Sequence, residues 1–382
     1  MKILILAPHP FYQERGTPIA VDFLCKALSD RGDEVHVLTF HEGTDREHKN
    51  VTIYRAQPWF AVNNVKPGFS VKKLLCDVFL FFKFLKMMRR EKYDVVHAVE
   101  ESAFMAFAVC PFYKTPYIFD IDSSMTTQIL DKFPVLKPLG GLLRFLESLP
   151  VRYAAACVPV CDALANDIRK YKPKRMTILK DVSLISNETH DNVEQLREQL
   201  SIKGLMMMYI GNLESYQGID LLLNSFASLS EKGLGLSLVI IGGSDADIEK
   251  YKGKVNKEHI ANVHLVGRKP VAHINDYMKQ ADILVSPRVH GVNTPMKVYS
   301  YLDSGVAVLA TDLPTHTQVM TDKIAVLAAA DTRSFASGIE EIAADEVRRK
   351  ELAKNAKEYI EKEHSYSAFC KTIDKIYTSL SE

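Results

Sequence analysis

The sequence predicts an α/β protein of two domains, each built on a parallel sheet with helices on both faces. Three observations predict it: 382 residues are too many for one core, short apolar segments alternate with helical patterns, and this alternation occurs twice. Strands that are apolar on both faces are typical of parallel sheets that helices cover on each side. We therefore expect ligand sites at the carboxyl ends of the strands.

The first series of elements fills the N-terminal half of the chain. Apolar segments predict strands at residues 2–7, 34–39, 51–55, 95–99, 117–121 and 155–159. A helical pattern predicts a helix over residues 18–31, which Gly32 ends.

The second series begins near residue 205. Strands are predicted at 205–210, 237–241, 263–266, 283–286 and 306–310, with helices at 220–229, 273–280 and 297–303. A polar stretch without periodicity, residues 180–192, separates the two series. We therefore predict one domain over residues 1–182 and a second over residues 183–364. Two such domains in tandem would place a cleft between two sheets, an arrangement that suits an enzyme with two substrates.

Composition and charge exclude several classes of protein. The chain has 48 basic and 47 acidic residues, a balance that argues against a nucleic-acid partner. Its six cysteines form no zinc-site pattern and are interpreted as reduced core residues. The apolar N-terminus ends at Pro8, too short for a signal peptide, and no segment approaches the roughly 18–20 apolar residues of a membrane span. We expect a cytoplasmic protein.

The strongest functional signal lies in the second series. After a predicted strand, a loop with Gly291 and Asn293 leads into a helix. Thr294 and Pro295 give capping signals, with proline at the first helical position. Free amide groups at such a helix start can bind an anion, and Lys297 lies within reach of a diphosphate. The same pattern also fits a purely structural loop-to-helix junction.

This segment resembles the donor-binding motif of the retaining glycosyltransferases of family 4, which share the GT-B fold. The matching residues are Pro287-Arg288, Gly291, Thr294-Pro295-Met296-Lys297 and Ser304-Gly305. Further matches, in family order, are residues 14–18, 28–39, 93–97, 154–164 and 209–223. The resemblance covers nearly the whole chain.

The resemblance implies a site as well as a fold. The fold is GT-B, with two Rossmann-like doubly wound domains facing a cleft, and the final helix at 365–382 packs back on the N-terminal domain. The implied donor-binding residues are Gly16, Thr17, Asn212, Gln217, Arg268, Arg288, His290, Gly291, Asn293, Thr294, Pro295, Lys297 and Ser300. The family works without a cofactor and stabilises the leaving diphosphate with helix dipoles and side chains, so we expect no metal.

Four familiar side chains are replaced in this sequence. Asn212, Gln217, Ser300 and Asp122 stand where the family has a diphosphate-binding Arg, a diphosphate-binding Lys, a ribose-binding Glu and a His. The phosphate charge would then be met by Arg288, Lys297 and amide dipoles, since amides and hydroxyls can still bind a nucleotide sugar by hydrogen bonds. The replacements also leave open a catalytically silent GT-B scaffold.

Carboxylates follow two strands of the first series. Asp122 and Glu101 are the candidate catalytic residues, because each follows a strand end where an acceptor hydroxyl or the transferred sugar would lie. Glu101 also fits simple solvation at a helix start. Asp120 and Asp122 match the metal motif of the other glycosyltransferase architecture, but the surrounding order of elements does not.

Residues 71–92 form a basic segment with helical spacing. Its apolar residues Val71, Leu74, Leu75, Val78, Phe82 and Leu85 share one helical face. Such a helix can lie on an anionic membrane, or it can be a core helix with a basic outer strip. A peripheral contact with the inner face of the membrane would suit a lipid-linked acceptor.

The function predicted from the sequence is transfer of a hexose or N-acetylhexosamine from a nucleotide-diphosphate sugar to a glycan or lipid-linked acceptor, with retention of configuration. A sugar-nucleotide epimerase of similar fold is the alternative enzyme.

Overall fold

The computed structural model describes residues 1–13, 16–60, 62–65, 70–185, 193–229, 232–291 and 294–380. The chain divides into two compact units. The first contains Met1–Asp181 and Ser367–Glu382, and the second contains Val182–Tyr366. Each unit has a six-stranded parallel sheet flanked by helices, so the predicted fold class is confirmed.

The first unit has strand order β3-β2-β1-β4-β5-β6. Its strands are β1 (Lys2–Ala7), β2 (Glu34–Phe40), β3 (Val51–Ala56), β4 (Val95–Val99), β5 (Tyr117–Ile121) and β6 (Ala156–Pro159). Its helices are α1 (Gly16–Asp30), α2 (Val71–Arg90), α3 (Ser102–Tyr113), α4 (Met125–Lys132), α5 (Gly140–Tyr153) and α6 (Asp162–Arg169). The last helix of the chain, Tyr366–Thr378, also belongs to this unit.

The second unit has the same strand order as the first, which read from one edge is β9-β8-β7-β10-β11-β12. Its strands are β7 (Leu205–Ile210), β8 (Leu236–Ile241), β9 (Val263–Gly267), β10 (Ile283–Ser286), β11 (Ala307–Thr311) and β12 (Val326–Ala328). Its helices are α7 (Leu196–Gln199), α8 (Ile219–Ala227), α9 (Asp245–Lys257), α10 (Ile274–Met278), α11 (Met296–Asp303), α12 (Pro314–Thr317), α13 (Thr332–Ala344) and α14 (Glu346–Glu363), so the C-terminal Tyr366–Thr378 is α15.

Helices α2, α3 and α5 lie on one face of the first sheet. Their buried side chains join a single core cluster with alternate residues of the sheet, for example Leu80 of α2, Ala106 of α3 and Val151 of α5. Since one cluster contains all three, their outer surfaces form one side of the unit.

Of the two interpretations of α2, the core helix fails for the apolar face that the sequence indicates, because that face does not pack against the sheet. The predicted residues Val71, Leu74, Leu75, Val78 and Phe82 are exposed, and Leu85 is half-buried. A second apolar stripe forms the core contact instead, through Cys76, Leu80, Phe84, Met87 and Met88. The helix is therefore apolar on two sides, and only one of them faces the protein.

The final helix α15 has a buried side against the first unit. Phe369, Ile373, Ile376 and Tyr377 are buried, and the Tyr377 hydroxyl lies 2.9 Å from Nδ1 of His97 on β4. None of the helices in the described part of the chain is long and apolar enough to cross a membrane.

Candidate functional site

The second unit places its candidate anion-binding residues where the strand order reverses. From β7 the chain builds β8 and β9 on one side and then returns to build β10 on the other. Ligands of doubly wound sheets bind at such a switch point, beyond the carboxyl ends of the strands. Gly211 directly follows β7, and Arg288 lies two residues after β10.

Lys297 is the central cation of this site. Its Nζ donates a hydrogen bond to Oε1 of Gln217 at 3.3 Å and lies 4.0 Å from the ring centroid of Tyr209. A Cβ atom at Gly211 would come within 3.1 Å of the same Nζ. The glycine therefore leaves the ammonium group room beside the strand end.

Burial, and after it the positive charge of Arg288, lower the pKa of Lys297 to about 7. Tyr209 and Gln217 offer a ring face and an amide oxygen but no negative charge. An anion bound beside the ammonium group would favour its charged form, so the site is electrostatically suited to a phosphate.

Arg288 is held by the loop that follows β10. Its Nε donates to the backbone oxygen of His290 at 2.6 Å, and its guanidinium lies 5.1 Å from the ring centroid of Tyr216. A Cβ atom at Gly291 would approach the guanidinium to 2.5 Å, so only glycine leaves room for the side chain in this position. Desolvation lowers the pKa of Arg288, which a nearby anion would oppose.

The start of α11 differs from the capping prediction by one position. Pro295 is the N-cap and Met296 the first helical residue, so Thr294 does not cap the helix. The Thr294 hydroxyl is buried and has no hydrogen-bond partner among the described residues. Free amide groups of the first turn and this hydroxyl are both donors that an anion could accept from.

The remaining predicted donor-binding residues are placed as follows. Asn212 and His290 are exposed next to this site. Ser300 is buried on α11, and its hydroxyl accepts a hydrogen bond from the amide of Leu184. Arg268 follows β9, two strands from β7, and donates to the backbone oxygen of Gly243, so the structure does not bring it to Lys297. Asn293 lies outside the described residues.

The first unit brings Thr17 and Asp122 together. Gly16 begins α1, Thr17 follows it, and the Thr17 side chain hydrogen-bonds to the Asp122 carboxyl group. Burial, and then repulsion from Asp120 and Glu100, raise the pKa of Asp122 well above its usual value. The carboxyl group is therefore able to hold a proton and donate a hydrogen bond as well as accept one.

Glu100 is a functional candidate that the sequence reasoning passed over in favour of Glu101. It follows β4 at the switch point of the first sheet and has a left-handed backbone with φ +50°. Its carboxyl group accepts a hydrogen bond of 3.3 Å from Ser123, and burial and the charge of Glu101 raise its pKa to about 7. A strained residue with a shifted pKa at a strand end is typical of functional sites.

Glu101 contacts a different partner. Its carboxylate forms an ion pair with Lys73 of α2. It lines a cavity of about 430 Å³ together with Glu100, Ser123 and Arg144. Glu101 thus lies in the wall of a cavity that borders the ends of strands β4 and β5.

Asp120 is engaged by a buried histidine. Its Oδ2 lies 3.2 Å from Nε2 of His97, whose other ring nitrogen contacts Tyr377. Among the described residues, no group of three or more His, Cys, Asp or Glu side chains is arranged to hold a metal ion.

Family models match both halves of the chain. The model described as Glycosyltransferase Family 4 matches residues 15–180, and the model described as Glycosyl transferases group 1 matches residues 192–359.

Solved structures resemble the chain over its full length. Anabaena HepE in complex with UDP is 14% identical, with a TM-score of 0.77 over 99% of this chain and 100% of that one. Sucrose-phosphate synthase from Thermosynechococcus elongatus is 18% identical, with a TM-score of 0.77 over 100% and 99%. The catalytic domain of Starch Synthase IV from Arabidopsis thaliana, bound to ADP and acarbose, is 12% identical, with a TM-score of 0.74 over 100% and 99%.

Proposed function

Because this chain is a glycosyltransferase of the GT-B type, we propose that it transfers a hexose or N-acetylhexosamine from a nucleotide-diphosphate sugar to a glycan or lipid-linked acceptor, with retention of configuration. The observation that carries the proposal is the desolvated cation pair Lys297 and Arg288 at the switch point of the second sheet. Such a pair is costly to bury without an anion, and a diphosphate is the anion that the donor brings.

The replaced side chains fit this donor site. Gln217, where the family has a lysine, orients Lys297 through a hydrogen bond instead of binding phosphate by its own charge. Positive charge is retained in Lys297 and Arg288, and hydrogen-bond donors remain at Thr294 and the first turn of α11. HepE has been crystallised with UDP and with UDP-glucose, which supports a uridine nucleotide as the first donor to test.

The proposed reaction forms a bond between an acceptor oxygen and the anomeric carbon as the bond to the diphosphate breaks. The acceptor proton passes to an oxygen of the leaving diphosphate, and Lys297 and Arg288 offset the negative charge that develops there. Asp122 and Glu100 bind hydroxyl groups of the sugar or the acceptor. The pKa of Glu100 is about 7, so its carboxyl group can accept a hydrogen bond or donate one near neutral pH, and the pKa of Asp122 is shifted in the same direction. No metal takes part in this scheme.

The experiment is a transfer assay with a panel of UDP-, GDP- and ADP-hexoses and N-acetylhexosamines in the presence of membrane lipid extract and EDTA. We expect one donor to be consumed, and the product to keep the anomeric configuration of the donor by NMR. Loss of turnover in EDTA that Mn²⁺ or Mg²⁺ restores would contradict the metal-free scheme. Binding without turnover would support a silent scaffold, and isomerisation of the donor sugar alone would support an epimerase.

We also propose that α2 places the protein on the inner face of an anionic membrane. Val78 and Phe82 are exposed at 46% and 63%, and Lys86 and Arg89 share their helical face because they follow at spacings of four and seven residues from Phe82. Trp59, exposed at 94%, packs its ring against Phe79 of the same helix. Exposed apolar and aromatic side chains beside cations are the features that bind interfacial helices to anionic lipid.

A further inference from the structure

A second, smaller cavity lies beside the acceptor-side carboxylates of the first unit. It has a volume of about 290 Å³ and lies among α2, α3 and α4. Its apolar wall consists of Leu74, Phe104, Met105, Met125 and Ile129. We call it the chain cavity, and we call the 430 Å³ cavity lined by Glu100 and Arg144 the head cavity.

The two cavities are neighbours. They share four wall residues, which are Glu101, Phe104, Met125 and Gln128. The head cavity has polar and apolar wall in about equal parts, with polar side chains that include Ser123, Gln128 and Glu147, whereas the chain cavity is mainly apolar. A ligand with a polar end in the head cavity and an apolar end in the chain cavity would match this difference in the polarity of the two walls.

Charges in the wall of the chain cavity are cancelled. Lys73 forms an ion pair with Glu101, so each of these two charges already has an oppositely charged partner within the protein. Burial and the charge of Glu101 raise the pKa of Asp77 to about 8, so its carboxyl group is mostly neutral at pH 7. A neutral apolar ligand is therefore favoured over an ion.

The chain cavity also borders the exposed face of α2. Leu74 lines the cavity and is itself exposed at 53%, and Val71, one helical turn before it, is exposed at 74%. A hydrocarbon chain could pass from a bilayer against this face into the cavity over apolar side chains without crossing water.

We propose that the chain cavity binds the hydrocarbon chain of the acceptor while its hydroxyl-bearing head occupies the head cavity. The acceptor is then an amphipathic lipid that enters from the membrane beside α2. This inference rests on the proposed function, because it assigns the acceptor of that same reaction.

The test uses alkyl β-D-glucosides below their micelle concentration as probes, titrated into the full-length protein by calorimetry. Affinity should rise roughly fourfold for each methylene from hexyl to octyl glucoside, as expected for chain burial. Methyl glucoside should bind too weakly to measure. An affinity that does not depend on chain length would overturn the proposal.

Variants locate the binding site. Met105→Trp and Ile129→Trp fill the cavity from two different helices, and each should weaken octyl glucoside binding at least tenfold while UDP binding and melting temperature stay close to wild type. Val78→Glu, on the outer face of α2, should weaken vesicle binding and leave octyl glucoside binding unchanged.

The outcomes separate the two proposals. The test uses whichever of the two filled variants folds. If that variant still binds octyl glucoside as the wild type does, the proposal that the chain cavity binds the hydrocarbon chain is overturned, even if UDP binding and sugar transfer are intact. Failure to bind any nucleoside diphosphate, with chain-dependent glucoside binding preserved, would instead overturn the glycosyltransferase reaction proposed for the site.

Discussion

Lys297 and Glu100 have the central roles in the proposed reaction, and burial moves the pKa of each toward 7 from opposite directions. At neutral pH, both the protonated and the deprotonated form of each group are therefore populated. A bound diphosphate favours charged Lys297, and a bound hydroxyl can donate to charged Glu100 or accept from its neutral form.

Binding of a nucleoside diphosphate should therefore be linked to proton uptake. At pH 8 the Lys297 amine is mostly neutral, since its pKa is about 7, and the diphosphate should return it to the ammonium form. Calorimetry at pH 8 in buffers of different ionisation enthalpy should show uptake of about one proton, and affinity should fall as pH rises above 7.

Lys297→Met provides the control, because it removes the titrating amine and leaves the apolar part of the side chain. The variant should bind more weakly and without proton uptake. Equal proton uptake in wild type and variant would show that another group titrates.

Lys297 could be identified as a site residue from the sequence, but the raised pKa of Glu100 could not, and the reason is physical. Lys297 stands in a local motif, because the loop, the helix start and the lysine follow one another within a few residues. The properties of Glu100 depend on Ser123 and on the burial that neighbouring segments impose. A pair of glutamates after a strand was visible in the sequence, but which of them would bond to Ser123 and which would pair with Lys73 was not.

At the scale of elements, α2 shows what helical spacing in a sequence can predict and what it cannot. Its helical spacing was visible over residues 71–92, close to the observed Val71–Arg90. The sequence has two apolar stripes on this helix, and spacing alone does not tell which of them the sheet covers. Helix α3 was not predicted, because it is apolar on all sides and so has no periodicity.

Trp59 is the only tryptophan of the chain and provides a fluorescence test of the proposed membrane contact of α2. On binding to vesicles of phosphatidylcholine and phosphatidylglycerol, its emission should shift to the blue as the exposed ring leaves water. Phe82→Glu should weaken this binding at least tenfold by removing apolar contact and adding repulsion.

The matched control is Val347→Glu on α14, which places the same charge at an apolar residue exposed at 77% elsewhere in the chain. This variant should bind vesicles as the wild type does. Identical vesicle binding by the Phe82 and Val347 variants would exclude α2 as the contact.

Helix α15 should stabilise the first unit. Ending the chain at His364 removes three large apolar side chains, Phe369, Ile373 and Ile376, that contribute roughly 1.5–3 kcal/mol each when fully buried. It also removes the Tyr377 hydroxyl, one of the two side-chain partners of buried His97, and leaves Asp120 as the other. A truncated protein that keeps its melting temperature would contradict this role. Tyr377→Phe separates the hydrogen bond from the packing, because it removes only the hydroxyl group, and it should lower the free energy of unfolding by about 1 kcal/mol.

At the scale of the whole molecule, two sheets of the same size account for the fold prediction. The eleven predicted apolar strands, in two series with helical patterns between many of them, leave few alternatives to two parallel sheets, and each switch point follows from the observed order of the strands. The three-residue strand β12 and the helices α4 and α5 were not predicted; α5 contains Gly140, Gly141 and Pro150, which weaken a helical signal in the sequence. These additions do not change the topology around Gly211 and Arg288.

The central claim is that the second unit binds a nucleotide-diphosphate donor through Lys297. Calorimetric titration of UDP, GDP and ADP tests it most directly, with Lys297→Met compared against Lys254→Met, a lysine that is paired with Asp220 in the same unit. We predict that one nucleoside diphosphate binds selectively. Lys297→Met should weaken its affinity by about 10- to 100-fold, as expected for the loss of a charge-assisted hydrogen bond. Lys254→Met should leave the affinity unchanged. Binding of none of the three, or equal affinity in the wild type and both variants, would contradict the account.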